Sequence, residues 1–207
     1  MKISIINGSP KGIKGHSEML INYFSSLLKE NEIKKYYSIS FKLNDKTKNE
    51  INSSDVLIFS FPLYVDGIPS NLLKLLTEFE KEKIVNSNTK VYCIVNNGFF
   101  EGKQNHIAIS QIRNWCEKVN AKWGQGIGIG AGELLTYTTK IPLGHGPLKN
   151  LGNALNILSH NILSLKSDKN IYINPNWLKI LYWGQGTFSW IIKAKKNNLK
   201  IYELFKK

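Results

Sequence analysis

The chain begins with Lys2-Ile3-Ser4-Ile5-Ile6-Asn7, a β-branched run that stops at Gly8. A short apolar run bounded by glycine and proline reads as a buried strand. From His16 to Lys29 the pattern changes. Met19, Leu20, Tyr23, Phe24, Leu27 and Leu28 recur there at the spacing of one helix face. Lys35 to Ile39 is expected to form a second strand, and the polar stretch from Lys42 to Ser54 a loop or a short helix. Asp55 to Phe61 returns to an apolar run and ends at Pro62. Leu72, Leu73, Leu75, Leu76 and Phe79 then mark a helix, with Pro69 in its first turn, where the missing N–H costs nothing. Lys90 to Asn96 reads as a fourth strand. Ile107, Ile112, Trp115 and Val119 mark a helix running to about Lys122. Gly126 to Gly130 is expected to be a glycine-thinned fifth strand, and Leu151 to Leu165 a last helix.

Strand followed by helix, repeated about five times with short connections, predicts a parallel sheet covered on both faces. Right-handed crossovers leave few ways to arrange it. Five strands without a sixth favour an α/β, flavodoxin-like three-layer sandwich of strand order 2-1-3-4-5 over a full dinucleotide-binding sheet. The domain is expected to span residues 1–168. Residues 169–207 would form a helical C-terminal extension packed on the domain or on a dimer partner. In such sheets ligands bind at the carboxyl ends of the strands, so function is sought in the loops beyond those ends.

Composition narrows the field. With 207 residues, 42% hydrophobic and 21% charged, the chain has enough apolar residues for one sizeable core. The apolar run at the N-terminus is too short for a signal peptide, and no stretch reaches the length of a membrane span. A cytoplasmic location is the expectation. Cys93 and Cys116 lack the paired spacing of a metal or iron–sulfur site and read as core residues. The net charge of +13 raises the question of nucleic acid, yet Arg113 is the only arginine among 28 basic residues. Phosphate and base recognition favours the arginine fork, so a lysine-rich solvated surface is the better reading. That surface would still attract anionic substrates. His106, His145 and His160 are dispersed and read as surface histidines rather than ligands.

Three loops hold the candidate chemistry. Gly8-Ser9-Pro10-Lys11 through Gly15-His16-Ser17 offers hydroxyls, positive charge and free amides at a helix start, which is what a phosphate needs. It is neither a P-loop nor a Gly-x-Gly-x-x-Gly fingerprint. The plainer alternative is a turn with Ser17 as helix cap. Pro62-Leu63-Tyr64-Val65-Asp66-Gly67-Ile68-Pro69 holds an extended backbone with an aromatic at the sheet edge, suited to packing a planar ring. It also reads as a proline-punctuated turn whose Tyr64 covers the core. Asn96-Asn97-Gly98-Phe99-Phe100 places two phenylalanines in a post-strand loop, as part of a site or as a satellite apolar cluster. The alternating glycines from Gly124 to Gly132 give no dinucleotide motif and are read as a strand that another backbone approaches closely.

In that order these loops resemble the NAD(P)H-dependent FMN reductase family, nearest to its multimeric flavodoxin-like oxidoreductases. The motifs are Asn7-Gly8-Ser9-Pro10-Lys11 with Gly15-His16-Ser17, Pro62-Leu63-Tyr64-Val65 with Gly67-Ile68-Pro69-Ser70, and Asn97-Gly98-Phe99. They cover roughly the first two-thirds of the chain. The resemblance implies noncovalent FMN, NADH or NADPH as reductant, and a small-molecule electron acceptor such as a quinone, flavin, nitro or azo compound. It implies that Ser9, Lys11, His16 and Ser17 bind the phosphate. Pro62, Leu63, Tyr64 and Val65 would line the ring and ribityl chain, with Asn97, Gly98 and Phe99 on the ring's far side. The cofactor would carry the chemistry, so no catalytic side chain is expected. No metal is expected either, since the cysteines that hold an iron–sulfur cluster in one branch are missing. A homodimer or higher homo-oligomer is expected, without nucleic acid. Two rivals remain open: an electron carrier that does not oxidise nicotinamide, and a flavin-free domain on the same fold.

The stretch from Tyr172 onward concentrates Trp177, Leu178, Leu181, Tyr182, Trp183, Phe188, Trp190, Ile191 and Ile192, followed by Lys193, Lys195 and Lys196. Extra helices on the domain, a dimer interface and an amphipathic membrane-surface element all fit. Packing on the domain or on a second subunit is the preferred expectation, and membrane contact the minority one.

Overall fold

A computed structural model describes residues 1–200, 202 and 203. Residues 201 and 204–207, the end of the expected extension, lie outside the described residues. Six parallel strands form one sheet in the order β2-β1-β3-β4-β5-β6. The strands are β1 (Lys2–Asn7), β2 (Glu32–Tyr37), β3 (Val56–Pro62), β4 (Lys90–Asn96), β5 (Lys122–Ile129) and β6 (Ile171–Ile173). The helices are α1 (His16–Leu27), α2 (Asp45–Asn52), α3 (Ser70–Lys81), α4 (His106–Lys118), α5 (Lys149–Leu163) and α6 (Lys179–Lys196).

The expected five-strand order holds, with one strand added. β6 pairs Ile171, Tyr172 and Ile173 with Ile127, Gly128 and Ile129 of β5. Three residues are too few to show a period of two, which is why the pattern concealed them. The same strand draws residues 171–173 out of the expected extension and into the sheet. The chain divides into two compact units, Met1–Pro175 and Asn176–Lys207. The second consists of α6 and its flanking segments.

Burial explains the hydrophobic runs. β1, β3 and β4 are covered on both faces, so they read as continuous apolar stretches. One face packs Ile3, Ile5, Ile58 and Ile94 against Leu20, Ile21 and Phe24 of α1 and Leu151, Leu155 and Leu158 of α5. The other packs Leu57, Phe59, Phe61 and Val91 against Leu72, Leu76 and Phe79 of α3 and Ile109, Ile112 and Trp115 of α4. Phe59 and Trp115 meet edge to face at 5.5 Å, and the indole N–H donates to the Leu76 carbonyl at 3.0 Å. Truncating either ring to alanine is expected to cost about 3–5 kcal/mol. At the sheet's edge, β2 is only half-covered and alternates Ile33 with charged neighbours. Helix α2 begins with a capping box in which Asn44 and Thr47 bond each other's backbone N–H.

The alternating glycines are a crossing of chains. A Cβ on Gly130 would lie 2.1 Å from the Phe100 carbonyl oxygen, and one on Gly102 would lie 2.4 Å from the Gly128 oxygen. The segment after β4 therefore lies directly on the end of β5, and only glycine permits that approach. On the same strand, a Cβ on Gly124 would meet the Tyr92 ring at 2.4 Å. Tyr92 passes that glycine to donate its hydroxyl to the carbonyls of Asn161 and Lys166, at 3.0 and 2.9 Å. Burial pushes the phenol up to about 12.

Candidate functional site

β1 delivers Asn7 and Gly8 to the carboxyl edge of the sheet. The Gly8 N–H donates to Ser60 at 2.8 Å, carrying the pairing with β3 one residue past the strand. A Cβ at Gly8 would lie 2.6 Å from Leu72 and 2.9 Å from Phe61, so the turn must start with glycine. The buried Asn7 side chain then organises the turn from Gly8 to Gly12. Its Oδ1 accepts from the Ser9 N–H at 2.9 Å. Its amide nitrogen donates to the Gly12 carbonyl at 3.3 Å and to Glu18 Oε2 at 2.9 Å. Glu18 is held from the other side by the Tyr37 hydroxyl at 3.2 Å. Strand β1, strand β2 and helix α1 are thereby tied together beneath the loop.

Above this network, Ser9 Oγ accepts from the Lys11 N–H at 3.2 Å. Gly15 packs so close that a Cβ there would lie 2.6 Å from Ser9 Oγ. Helix α1 starts at His16 without a side-chain cap. Ser17 does not cap it; its hydroxyl donates to Asn96 Oδ1 at 3.1 Å, across to the end of β4. The Glu18 N–H turns back to the Gly15 carbonyl at 3.0 Å, which leaves the His16 and Ser17 amides for a ligand, and the helix dipole makes an anion the favoured one. His16 Nε2 is 2.7 Å from Thr136 Oγ1, which joins the loop to the 3₁₀ segment Gly132–Tyr137. Burial lowers the imidazole's pKa; Glu133 opposes that shift and Lys11 adds to it.

The loop after β3 is built differently. The Leu63 N–H donates to Asn96 at 2.8 Å, and Tyr64 and Gly67 exchange backbone hydrogen bonds of 3.1 and 3.0 Å. Between them Val65 and Asp66 take φ values of 47° and 56°, the two left-handed positions of a tight turn. A β-branched residue is strained there. Val65 is also 102% exposed, so no protein packing compensates it. The third loop is rigid by contrast. The Asn97 N–H donates to Ile129 at 3.0 Å and its carbonyl accepts from Gly132 at 2.7 Å. The Asn97 side-chain nitrogen donates to the Glu101 carbonyl at 3.1 Å, while its buried Oδ1 has no hydrogen-bond partner.

The three loops line a single cleft of about 130 Å³. Of the residues singled out in the sequence, Ser9, Lys11, His16, Ser17, Pro62, Leu63, Tyr64, Asn97 and Gly98 all contribute to it. Val65 and Phe99 stand outside its walls, and Phe99 is 57% exposed. Gly15 and Asn96, members of the candidate loops to which no ligand role was given, join the lining, and so does Glu133, which lay outside those loops. Asn96 ends an apolar strand and looked like a strand terminator. Glu133 comes from a segment whose register no periodic pattern reveals. Among the described residues no group of three His, Cys, Asp or Glu side chains could hold a metal ion. Cys93 and Cys116 are buried, and burial raises both thiols, Cys116 to about 12.

No protein-family model and no curated protein matches the sequence. Solved structures do match. A short-chain flavodoxin associated with a non-canonical PDU bacterial microcompartment superposes with a TM-score of 0.57, covering 81% of this chain and 100% of that one at 11% identity. The fold is flavodoxin-like. A flavodoxin, WrbA-like protein from Agrobacterium tumefaciens gives a TM-score of 0.53 at 12% identity, covering 81% of this chain and 100% of its own. An azoreductase from Bacillus anthracis str. Sterne gives 0.52 at 11% identity, covering 78% and 98%. In this flavodoxin-like sheet the cleft sits where the fold's topology puts ligands, beyond the carboxyl ends of β1, β3 and β4.

Proposed function

We propose that the protein is a cytoplasmic FMN-dependent NAD(P)H oxidoreductase that passes electrons to a small acceptor, a quinone, flavin, nitro or azo compound. The observation that carries this reading is the uncapped start of α1 behind Ser9, Lys11 and Gly15, in one cleft with Leu63, Tyr64 and Asn97. The residues fit FMN on three counts. The His16 and Ser17 amides and the Ser9 hydroxyl suit a phosphate dianion. The extended Pro62–Tyr64 segment suits a flat aromatic wall. The unpartnered, buried Asn97 Oδ1 supplies an acceptor for a ring N–H.

When bound, FMN would supply the hydride and electron chemistry. The chain's own residues then have limited tasks. Lys11 neutralises the phosphate, and Ser9, His16 and Ser17 help to hold it. Leu63 and Tyr64 exclude water from one side, and Asn97 fixes orientation. A cleft of about 130 Å³ is well short of the roughly 300 Å³ needed to enclose a small ligand. It therefore grips one end and leaves the remainder open to a second reactant, as a two-substrate exchange requires. The positive surface draws in a pyridine dinucleotide.

The test is the absorption spectrum of the purified protein, before and after anaerobic addition of NADH or NADPH. The expected result is a bound-flavin spectrum that bleaches with at least one nicotinamide. Colourless protein that takes up no added FMN overturns the proposal. Flavin that is held but reduced by neither nicotinamide makes the protein an electron carrier.

A further inference from the structure

The second unit, taken by itself, differs in chemistry from the sheet domain. Between Asn176 and Lys207 it carries seven lysines and one carboxylate, Glu203. Its main element is α6, eighteen residues in one continuous helix despite Gly184 and Gly186. At about 100° per residue, Ile180, Trp183, Phe188, Trp190 and Ile191 fall on one side of that helix. Gln185, Ser189, Lys193 and Lys196 fall on the other, and Lys195 lies at the C-terminal end of the apolar side, where its long stem can carry the charge out to the headgroups. Ile180, Trp183, Phe188 and Trp190 are each more than half exposed. Lys179 Nζ sits 4.9 Å from the Trp183 ring centre and Lys193 Nζ 5.4 Å from that of Trp190. Each end of the aromatic side thus has an ammonium group resting on a ring.

We propose that α6 lies on the surface of an anionic lipid bilayer, with its tryptophan side in the interface and its lysines among the headgroups. Three features choose this occupant. The helix is amphipathic rather than apolar all round, and among the described residues no helix is long and apolar enough to cross a membrane. Tryptophan and lysine are the residues whose amphipathic side chains suit the headgroup boundary. The charge is almost entirely of one sign, which complements an anionic surface and opposes self-association. A parallel two-fold pairing through this helix would bring its lysine cluster against the copy's. Gly184 and Gly186 look like a break in the sequence, yet α6 runs unbroken through them and keeps its aromatic side continuous.

The experiment mixes the full-length protein with vesicles of phosphatidylcholine alone, or with phosphatidylglycerol added, and reads co-sedimentation and tryptophan emission. Binding and a blue shift are expected with the anionic vesicles only, weakening as salt rises. Combining Lys193→Glu, Lys195→Glu and Lys196→Glu should weaken partition at least about 100-fold, from roughly fivefold per lysine near an anionic surface. The thermal melt of the sheet domain should not move. Trp183→Ala with Trp190→Ala should also reduce binding. No binding to anionic vesicles, or a lysine variant that binds like the parent, overturns the proposal. So does a solution dimer that the tryptophan variant dissociates, since a second copy would then cover the face.

Discussion

The loops after β1 and β3 face the same cleft but are held in opposite ways. The first is fixed from inside: Asn7 makes three hydrogen bonds beneath it, Glu18 and Tyr37 brace Asn7, and Gly8 and Gly15 fit against neighbours with no room for a methyl group. The second is held at its base, by the Leu63 N–H on the Asn96 carbonyl, the mutual bonds of Tyr64 and Gly67 and the Ile68 N–H on Gln111 Oε1, and carries a strained valine in open solvent at its tip. Under the proposed function, the contrast matches the parts of the ligand each would meet. A phosphate rewards donors that are already in place, because they cost no reorganisation on binding. A planar ring rewards a surface that can settle against it.

Three substitutions would break or sharpen that contrast. The largest effect is expected from Gly15→Val. The backbone there is extended and tolerates valine, but the new side chain collides with Ser9 Oγ. Losing two charge-assisted hydrogen bonds to the phosphate should weaken FMN binding by about 100-fold or more. Titration with FMN measures it, and unchanged affinity would remove this loop from the site. A smaller effect is expected from Val65→Gly. Relief of the left-handed strain, net of glycine's entropy, is worth about 1 kcal/mol. The flavin-free protein should melt about 2–4 °C higher, with FMN held a few-fold less tightly by a looser turn. A melt that stays or falls would show that the turn stores no strain.

The smallest effect concerns His16. Its folded-state pKa is lowered from 6.5, chiefly by burial. Below that value the unfolded chain binds more protons than the folded one, so stability rises with pH across this window. The contribution of neutral His16 is complete above about pH 6.5 and is lost as pH falls through the lowered folded value. His16→Gln keeps a partner for Thr136 and should flatten this slope in flavin-free protein, seen by melting between pH 5 and pH 7.5. An unaltered slope would place its origin elsewhere.

Both loops were legible as sites because glycine and proline interrupt apolar runs only where the backbone must do something a packed strand cannot. β3 and β4 were legible for the complementary reason: burial on both faces leaves no polar position to blur the run. Less of the edges could be read. β2 starts at Glu32 rather than Lys35, because a half-exposed strand accepts charged residues wherever they face solvent. β5 starts at Lys122, in residues that looked like the end of the preceding helix, which in fact stops at Lys118. Its glycines hid it further, since they are chosen for the chain that crosses them and not for β propensity. Of the cleft, the residues near β1, β3 and β4 were readable. Glu133 was not, because no periodic pattern places the 3₁₀ segment that carries it over the cleft.

The strand order has a consequence for how the molecule is made. β1 pairs on one side with β2 and on the other with β3, and β4, β5 and β6 are then added outward in chain order. During synthesis from the N-terminus, the unfinished sheet always offers one open parallel edge, and the next strand to emerge is the one that fits it. Every residue lining the cleft except Glu133 lies at or before Gly98 in the chain. Once Gly98 emerges, a nascent chain would already hold most of the proposed phosphate grip, before Thr136 emerges to latch His16.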